Sequence, residues 1–418
     1  MNFIGRLQRR NFLKTTLGLL SGSLLLGGRQ TAAQAVAEPA VAAARVPGTS
    51  PSKLGQRSPY EHIERLVAAP SPAGVSFTPL EKLSGIITPS GLHFERHHAG
   101  VPDIRPDDYK LLIHGMVERP LKFSLTDLKR FPAESRICFI ECSGNGFRAS
   151  LPPESIPQQL TAGQLDGLFS VSEWTGVRLA TLFREAGARS GARWFLAEGG
   201  DAALMDRSIP MAKAWEDAMV VYAQNGEPLR PEQGYPARLL LPGWEGNTNI
   251  KWLRRLEVSD VPFMTREETS KYTDAVPDGR IKQFTFRMGV KSLITSPSFS
   301  IDMPARGWNE IRGLAWSGAG RIAQVEVSVD AGRSWHQAAL QAPVLSKCAT
   351  RFRYGWDWNG RETIIMSRAT DEAGRTQLPY PENEKNRGPG TFYHNSGIRA
   401  WKIHADGHVT FALRDLFS

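Results

Sequence analysis

Along most of the chain, apolar residues come in short runs or alternate with polar ones, and turn-forming residues separate the stretches. Residues 109–115 (YKLLIHG), 136–142 (RICFIEC), 238–241 (RLLL) and 253–258 (LRRLEV) are aliphatic enough, and short enough, to predict strands. Residues 179–186 (LATLFREA) place their apolar positions on one helical face, and Gly187 follows as a stop. Residues 210–215 are a second helix candidate, and 265–286 is a polar connection. From about residue 291 the texture changes. Residues 325–330 (VEVSVD) alternate strictly, Ala331-Gly332-Arg333-Ser334 turns the chain, and Trp335 begins the next strand. Further strands are predicted at 311–316, 362–369 and 398–404, with a turn over 371–374. The pattern therefore predicts an α+β region followed by an immunoglobulin-like β-sandwich.

The N-terminus has a different character. Arg9-Arg10-Asn11-Phe12-Leu13-Lys14 precedes a mildly apolar run over 15–28 that is broken by Gly18, Gly22 and Gly27. Twin arginines before such a run predict a Tat export signal, too short for an ordinary membrane span. Ala35-Val36-Ala37 offers a cleavage site, which leaves no membrane span after cleavage. Residues 38–59 are rich in Ala, Pro, Gly and Ser and are predicted to be a linker or arm. The organisation expected is a signal at 1–37, this linker, a catalytic region at 60–285 and the sandwich at 286–418. The expected location is the periplasm, reached by folded export.

That division changes the meaning of the charge. The 418 residues carry a formal charge of +9, which invites a nucleic-acid reading. Residues 1–37 contain Arg6, Arg9, Arg10, Lys14 and Arg29 and no acid, so their removal leaves about +4. That is no argument for a nucleic-acid partner. Apolar content of 41% excludes a disordered chain. Three cysteines are too few for a disulfide scaffold, and no CxxC, CxxCH or HExxH pattern is present. The Rossmann glycine fingerprint and the P-loop are also missing.

Cys142 stands out because it ends a predicted strand and enters Ser143-Gly144-Asn145-Gly146. Glycines there let backbone amides approach a ligand closely. Cys138 lies four residues earlier on the same strand, roughly 13 Å away, beyond disulfide reach. The residues alone leave two readings of Cys142 open: an inert buried thiol, or a thiolate claimed by a soft metal.

The segment 138–145 (CFIECSGN) resembles the cysteine loop of the sulfite oxidase family of molybdenum enzymes. Phe94-Glu95-Arg96-His97-His98 with Val101-Pro102, Trp174-Thr175-Gly176-Val177, Glu198-Gly199 and Ser208-Ile209-Pro210 are similar to further family motifs in the same order. So are Gly234-Tyr235-Pro236-Ala237-Arg238 and Lys251-Trp252-Leu253. Residues 230–235 (RPEQGY), 243–247 (GWEGN), 266–272 (REETSKY), Tyr393-His394-Asn395 and Trp401-Lys402 place the wording nearest the sulfane dehydrogenase branch, which serves thiosulfate oxidation. The likeness runs from about residue 80 to 410.

The resemblance implies a sulfite-oxidase-type molybdopterin domain before the sandwich, and a molybdenum–molybdopterin cofactor with Cys142 as the protein's metal ligand. It implies an oxyanion pocket of Arg96, Arg148 and Arg351, with Tyr272 as the active-site tyrosine and Trp174 as a wall. A core position for Trp174 is an equal reading. Arg148 departs from the family spacing because Gly146 and Phe147 intervene, and Arg353 shares a strand face with Arg351. Cofactor contacts fall on His98, Asn145, Gln233, Arg238 and Lys251; His97, His394 and His404 receive no role. The implied activity is oxidation of reduced sulfur, either sulfane sulfur on a carrier protein or free sulfite. No haem motif lies on this chain, so electrons would pass to a c-type cytochrome, a dihaem subunit in this branch. The sandwich implies a homodimer. Two alternatives are a methionine sulfoxide reductase-like enzyme, which typically lacks a sandwich, and a non-catalytic binding protein with a degenerate site.

Overall fold

The computed structural model describes residues 47–418 except 70, 389, 390, 392, 414 and 416–418. The predicted export signal lies outside the described residues. Residues 47–61 belong to a separate unit and are exposed, with neither helix nor strand. Everything that follows concerns the unit from His62 onward.

The strand predicted at 136–142 is longer, Ala133–Glu141, and pairs antiparallel along its whole length with Phe169–Arg178. Met219–Gln224 and Glu227–Pro228 continue that sheet, and Arg238–Leu240 joins Met219–Gln224. Gly176 makes the close approach possible: a Cβ there would lie 2.1 Å from the Val220 carbonyl oxygen. That is a physical reason for glycine in the Trp-x-Gly segment. A second five-stranded sheet runs Leu121–Phe123, Leu111–Gly115, Leu253–Ser259, Trp194–Gly199, Asp206–Pro210. Leu253–Ser259 pairs parallel with Leu111–Gly115, and the other pairs are antiparallel.

The helix predicted over Leu179–Ala186 is present and ends at Gly187, whose φ of 68° is left-handed. Its Leu179, Leu182 and Phe183 pack into one apolar cluster with Leu111, Phe195, Leu239 and Leu256. The second candidate is the helix Met211–Glu216, with Pro210 at its N-cap. Few helices among mixed sheets make this an α+β fold.

The C-terminal strands form two sheets. One runs Lys291–Ser296, Gly307–Trp316, Thr350–Trp358, Ala339–Gln341; the other runs His336–Gln337, Ile322–Ser328, Thr363–Asp371, Ala400–Ile403, Val409–Phe411. Leu293, Ile311, Phe352, Val325, Ile365 and Trp401 meet between them as an immunoglobulin-like sandwich. That core is continuous with the first sheet, because Trp316 stacks on Phe169 at 4.1 Å between ring centres. The segment 265–286 is more than a connection. It holds the helix Arg266–Thr269, with Glu267 and Glu268 buried, and the ribbon of Asp274–Ala275 with Ile281–Lys282. Among the described residues no helix is long and apolar enough to cross a membrane.

Candidate functional site

Cys142 sits where the Ala133–Glu141 strand ends. Its N–H donates to the Leu168 carbonyl at 2.9 Å, and its own carbonyl accepts from the Asn145 N–H at 2.9 Å, which closes a tight turn. Gly146 follows at φ 84°. A Cβ on Gly146 would fall 2.4 Å from the Arg399 guanidinium, so both conformation and space require glycine. Cys138 and Cys348 are buried and unpaired, whereas Cys142 keeps some exposure. Burial of its sulfur pushes the Cys142 thiol up.

Cys142 lines a cavity with Arg96, His98, Gln233, Arg238, Lys251 and Tyr272. These are seven of the eleven residues singled out from the sequence. An adjoining cavity shares Arg96, His98 and Lys251. The Lys251 ammonium donates to His97 Nδ1 at 2.7 Å and to the carbonyls of Glu232 and Arg96. With Nδ1 accepting, His97 must donate through Nε2 to Glu95, 2.6 Å away. His97 thus positions Lys251. Arg238 donates to the Gln233 and Asn249 carbonyls, and Gln233 donates to the Phe94 carbonyl at 3.0 Å. Burial lowers Arg238 to about 9 and pushes Lys251 well down, with Arg238 adding to the effect on Lys251. A bound anion would offset both costs.

His98 Nε2 lies 2.9 Å from the Tyr272 hydroxyl. Burial, helped by Arg96, lowers His98 to about 4, and burial followed by Cys142 raises Tyr272 well above the usual phenol range. Both groups are neutral near pH 7, so the pair can hold and exchange a proton at the cavity wall.

Three expectations differ, and Trp174 is decided between its two readings. Asn145 is buried, donates to Glu141 Oε1 at 2.9 Å and accepts from the Leu168 N–H at 3.0 Å. Its amide ties the loop together and is not among the lining residues. Trp174 is fully buried and donates to the Cys138 carbonyl; Arg238 lies over its ring at 5.2 Å. The core reading therefore holds, with Trp174 supporting a cavity residue. Arg148 donates to the Gln164 carbonyl and lies 4.8 Å over Phe77. Arg351 donates to the Gly85 and Leu83 carbonyls, the latter at 2.7 Å. Arg353 is exposed opposite Arg312. Of the three arginines expected in one pocket, only Arg96 lines the cavity.

Other lining residues escaped the sequence reading. His93 is 1% exposed, with Nδ1 on the Phe94 carbonyl at 3.0 Å. Its only signal was its place beside the Phe94–His98 motif. Gly246, Asn247 and Asn249 also line the cavity, and a Cβ on Gly246 would press on the Cys142 backbone at 3.2 Å. The 243–247 wording pointed there without assigning a role. His394, left without a role, donates its N–H to the Ser143 carbonyl at 2.8 Å, and its ring faces Glu245 at 3.4 Å. A wider groove lined by Asp274, Phe286, Arg287, Arg387, Tyr393 and His394 does not include Cys142.

His93 Nε2, Arg238 Nε and Asn247 Oδ1 are buried without a protein partner, and all three residues line the Cys142 cavity. Such atoms suit a polar ligand. No group of three or more His, Cys, Asp or Glu able to hold a metal occurs among the described residues. A metal at this thiolate would therefore take its other donors from a cofactor, as a dithiolene supplies them. The donor set thus fits a molybdopterin with its anionic phosphate: cations from Arg238 and Lys251, orphan polar atoms for the pterin, and a thiol for the metal.

Residues 98–267 match the family model described as oxidoreductase molybdopterin binding domain, and 282–387 match the Mo-co oxidoreductase dimerisation domain. The mitochondrial sulfite oxidase of Drosophila melanogaster is 30% identical over 311 residues, covering 70% of this chain and 53% of that protein. The NADH nitrate reductase of Ulva prolifera is 30% identical over 334 residues, covering 70% and 38%. This chain thus spans between about a third and about half the length of the first curated relatives it matches. The crystal structure of the sulfane dehydrogenase SoxCD from Paracoccus pantotrophus superposes with a TM-score of 0.80 at 42% identity, covering 86% of this chain and 95% of that one.

Proposed function

The chain belongs to the sulfite oxidase family of molybdenum-cofactor oxidoreductases, and from that premise we propose that it oxidises reduced sulfur in the periplasm, on a carrier protein's sulfane sulfur. The observation that carries the reading is the half-buried Cys142 thiol in a cavity whose buried cations and orphan polar atoms call for an anionic, polar ligand. When bound, the cofactor supplies a two-electron acceptor and an oxygen atom for transfer to sulfur. Cys142 would hold the metal, and Gln233, Arg238, Lys251 and His98 the pterin and phosphate. Arg96, with its planar guanidinium fork, would orient an anionic sulfur substrate. Each oxygen comes ultimately from water, so two protons leave for every two electrons withdrawn. The neutral His98–Tyr272 pair is placed to take and pass on a proton. Electrons would leave to a dihaem c-type cytochrome. The remaining elements of the proposal are a Tat signal at 1–37 and homodimerisation through 286–418.

The similarity to the sulfane dehydrogenase SoxCD supports carrier-bound sulfur over free sulfite. The test uses protein from a cofactor-competent host and measures molybdenum, then reduction by sulfite and by carrier-bound sulfane sulfur. Cys142→Ser should abolish activity with the fold intact. Absence of molybdenum from the wild-type chain would refute the reading, and preference for free sulfite would replace the substrate.

A further inference from the structure

Four ionised side chains are buried together against the cysteine loop: Glu141, Asp166, Lys291 and Arg399, each 2% exposed or less. The two acids come from the molybdopterin-binding part of the chain. Glu141 is the last residue of its strand, and Asp166 ends the helix Ala162–Asp166. The two cations come from the sandwich. Lys291 opens the Lys291–Ser296 strand, and Arg399 immediately precedes Ala400–Ile403. Lys291 Nζ bridges Glu141 at 2.9 Å and Asp166 at 3.2 Å. Arg399 Nε donates to Asp166 at 3.0 Å, and its other nitrogens donate to the Asn395 and Gly397 carbonyls and to Asn395 Oδ1. None of the four leaves a buried polar atom without a partner. The group is neutral as a whole, but neither part of the chain is neutral without the other.

The quartet meets the metal-ligand loop at three points. Glu141 is bonded in sequence to Cys142. Asn145 donates to Glu141 Oε1, and Gly146 leaves the space that Arg399 and Asp166 fill. Trp316, from the sandwich, donates to the second Glu141 oxygen at 2.7 Å. An uncompensated charge here would act on the Cys142 sulfur through a low-dielectric interior, where screening by water is weak.

We propose that Lys291 and Arg399 are positioning residues for the Cys142 ligand: the sandwich supplies the two buried cations that brace the cysteine loop and neutralise Glu141 and Asp166 beside it, so the metal's reduction potential depends on this domain contact. The proposal rests on the molybdenum reading above. A lost cation favours the more positive, oxidised metal, and a lost carboxylate favours the reduced one.

Holoproteins carrying Lys291→Met, Lys291→Arg, Asp166→Asn and the double change Asp166→Asn with Lys291→Met test it. Molybdenum per chain is measured first. The midpoint potential is then read by redox titration at fixed pH, monitored by electron paramagnetic resonance. Lys291→Met should lower the potential, Asp166→Asn should raise it, and Lys291→Arg and the neutral double variant should stay near wild type. A loss of packing alone would not give shifts of opposite sign with cancellation in the double variant. Should Lys291→Met fail to fold, Asp166→Asn and the double variant still decide. Molybdenum-loaded variants that all titrate with the wild type overturn this inference and leave the functional reading standing. A wild-type chain without molybdenum overturns both.

Discussion

His93 makes the fold acid-sensitive in a way that one substitution isolates. Its ring is enclosed by Phe94, stacked at 5.1 Å, and Trp174, edge-on at 5.7 Å. Burial lowers it to about 3; Arg238 and Lys251 also oppose protonation, and the bond to the Phe94 carbonyl only partly offsets this. In the unfolded chain histidine titrates near its ordinary value of about 6.5. Below that pH the unfolded chain binds a proton that the folded chain refuses, so ν_U exceeds ν_N and stability falls as pH falls. Above about pH 6.5 the effect is absent, and it grows down to about pH 3. At ~1.4 kcal/mol per pH unit, the interval from 6.5 to 5 costs about 2 kcal/mol. Urea unfolding of wild type and His93→Gln, each at pH 7.5 and pH 5, measures it. Gln keeps a donor and an acceptor but cannot take the proton. The wild type should lose about 2 kcal/mol more than the variant, while the shared response of His98 cancels in the comparison. Equal pH dependence in the two chains would refute the reasoning.

Removing Arg207 leaves Glu268, 3.3 Å away, as a buried carboxylate without its cation, and leaves Glu245, 3.1 Å away, with only the His394 ring at 3.4 Å. Arg207→Met should therefore cost about 3–5 kcal/mol in calorimetry, and a near-neutral result would contradict it. Gly176→Ala drives a methyl into the Val220 carbonyl, so soluble yield should collapse or stability drop by roughly 3 kcal/mol; wild-type melting would show that the sheet adjusts freely. In native protein freed of cofactor, alkylation followed by mass spectrometry should mark Cys142 alone, since Cys138 and Cys348 are 0% exposed. Early labelling of either buried cysteine would count against this packing. Tyr272→Phe removes the partner of His98, and turnover should fall about 10²-fold with substrate affinity little changed; unchanged kcat would remove the pair from proton transfer.

What could be read from the sequence was local. Alternation over 325–330 predicts a strand because side-chain direction repeats every two residues, and strand Ile322–Ser328 is there. Gly187 stops its helix because a left-handed residue cannot continue it. Cys142 at a strand end before glycines, and the Phe94–His98 and 234–238 motifs, marked the cavity because those side chains are short or anchored by neighbouring backbone. The long cations were a different matter. Arg148 and Arg351 have flexible stems, and the partners that claim them, the Gln164, Leu83 and Gly85 carbonyls, come from elsewhere in the chain. Nothing near Lys291 or Arg399 in sequence marks them as partners of Glu141 and Asp166, because those pairs close over more than 120 residues. Strand texture, the loop that carries the thiol and the family likeness are all written in neighbouring residues. Which charges stand beside that thiol emerges only on folding, because a buried charge is placed by whichever distant group neutralises it.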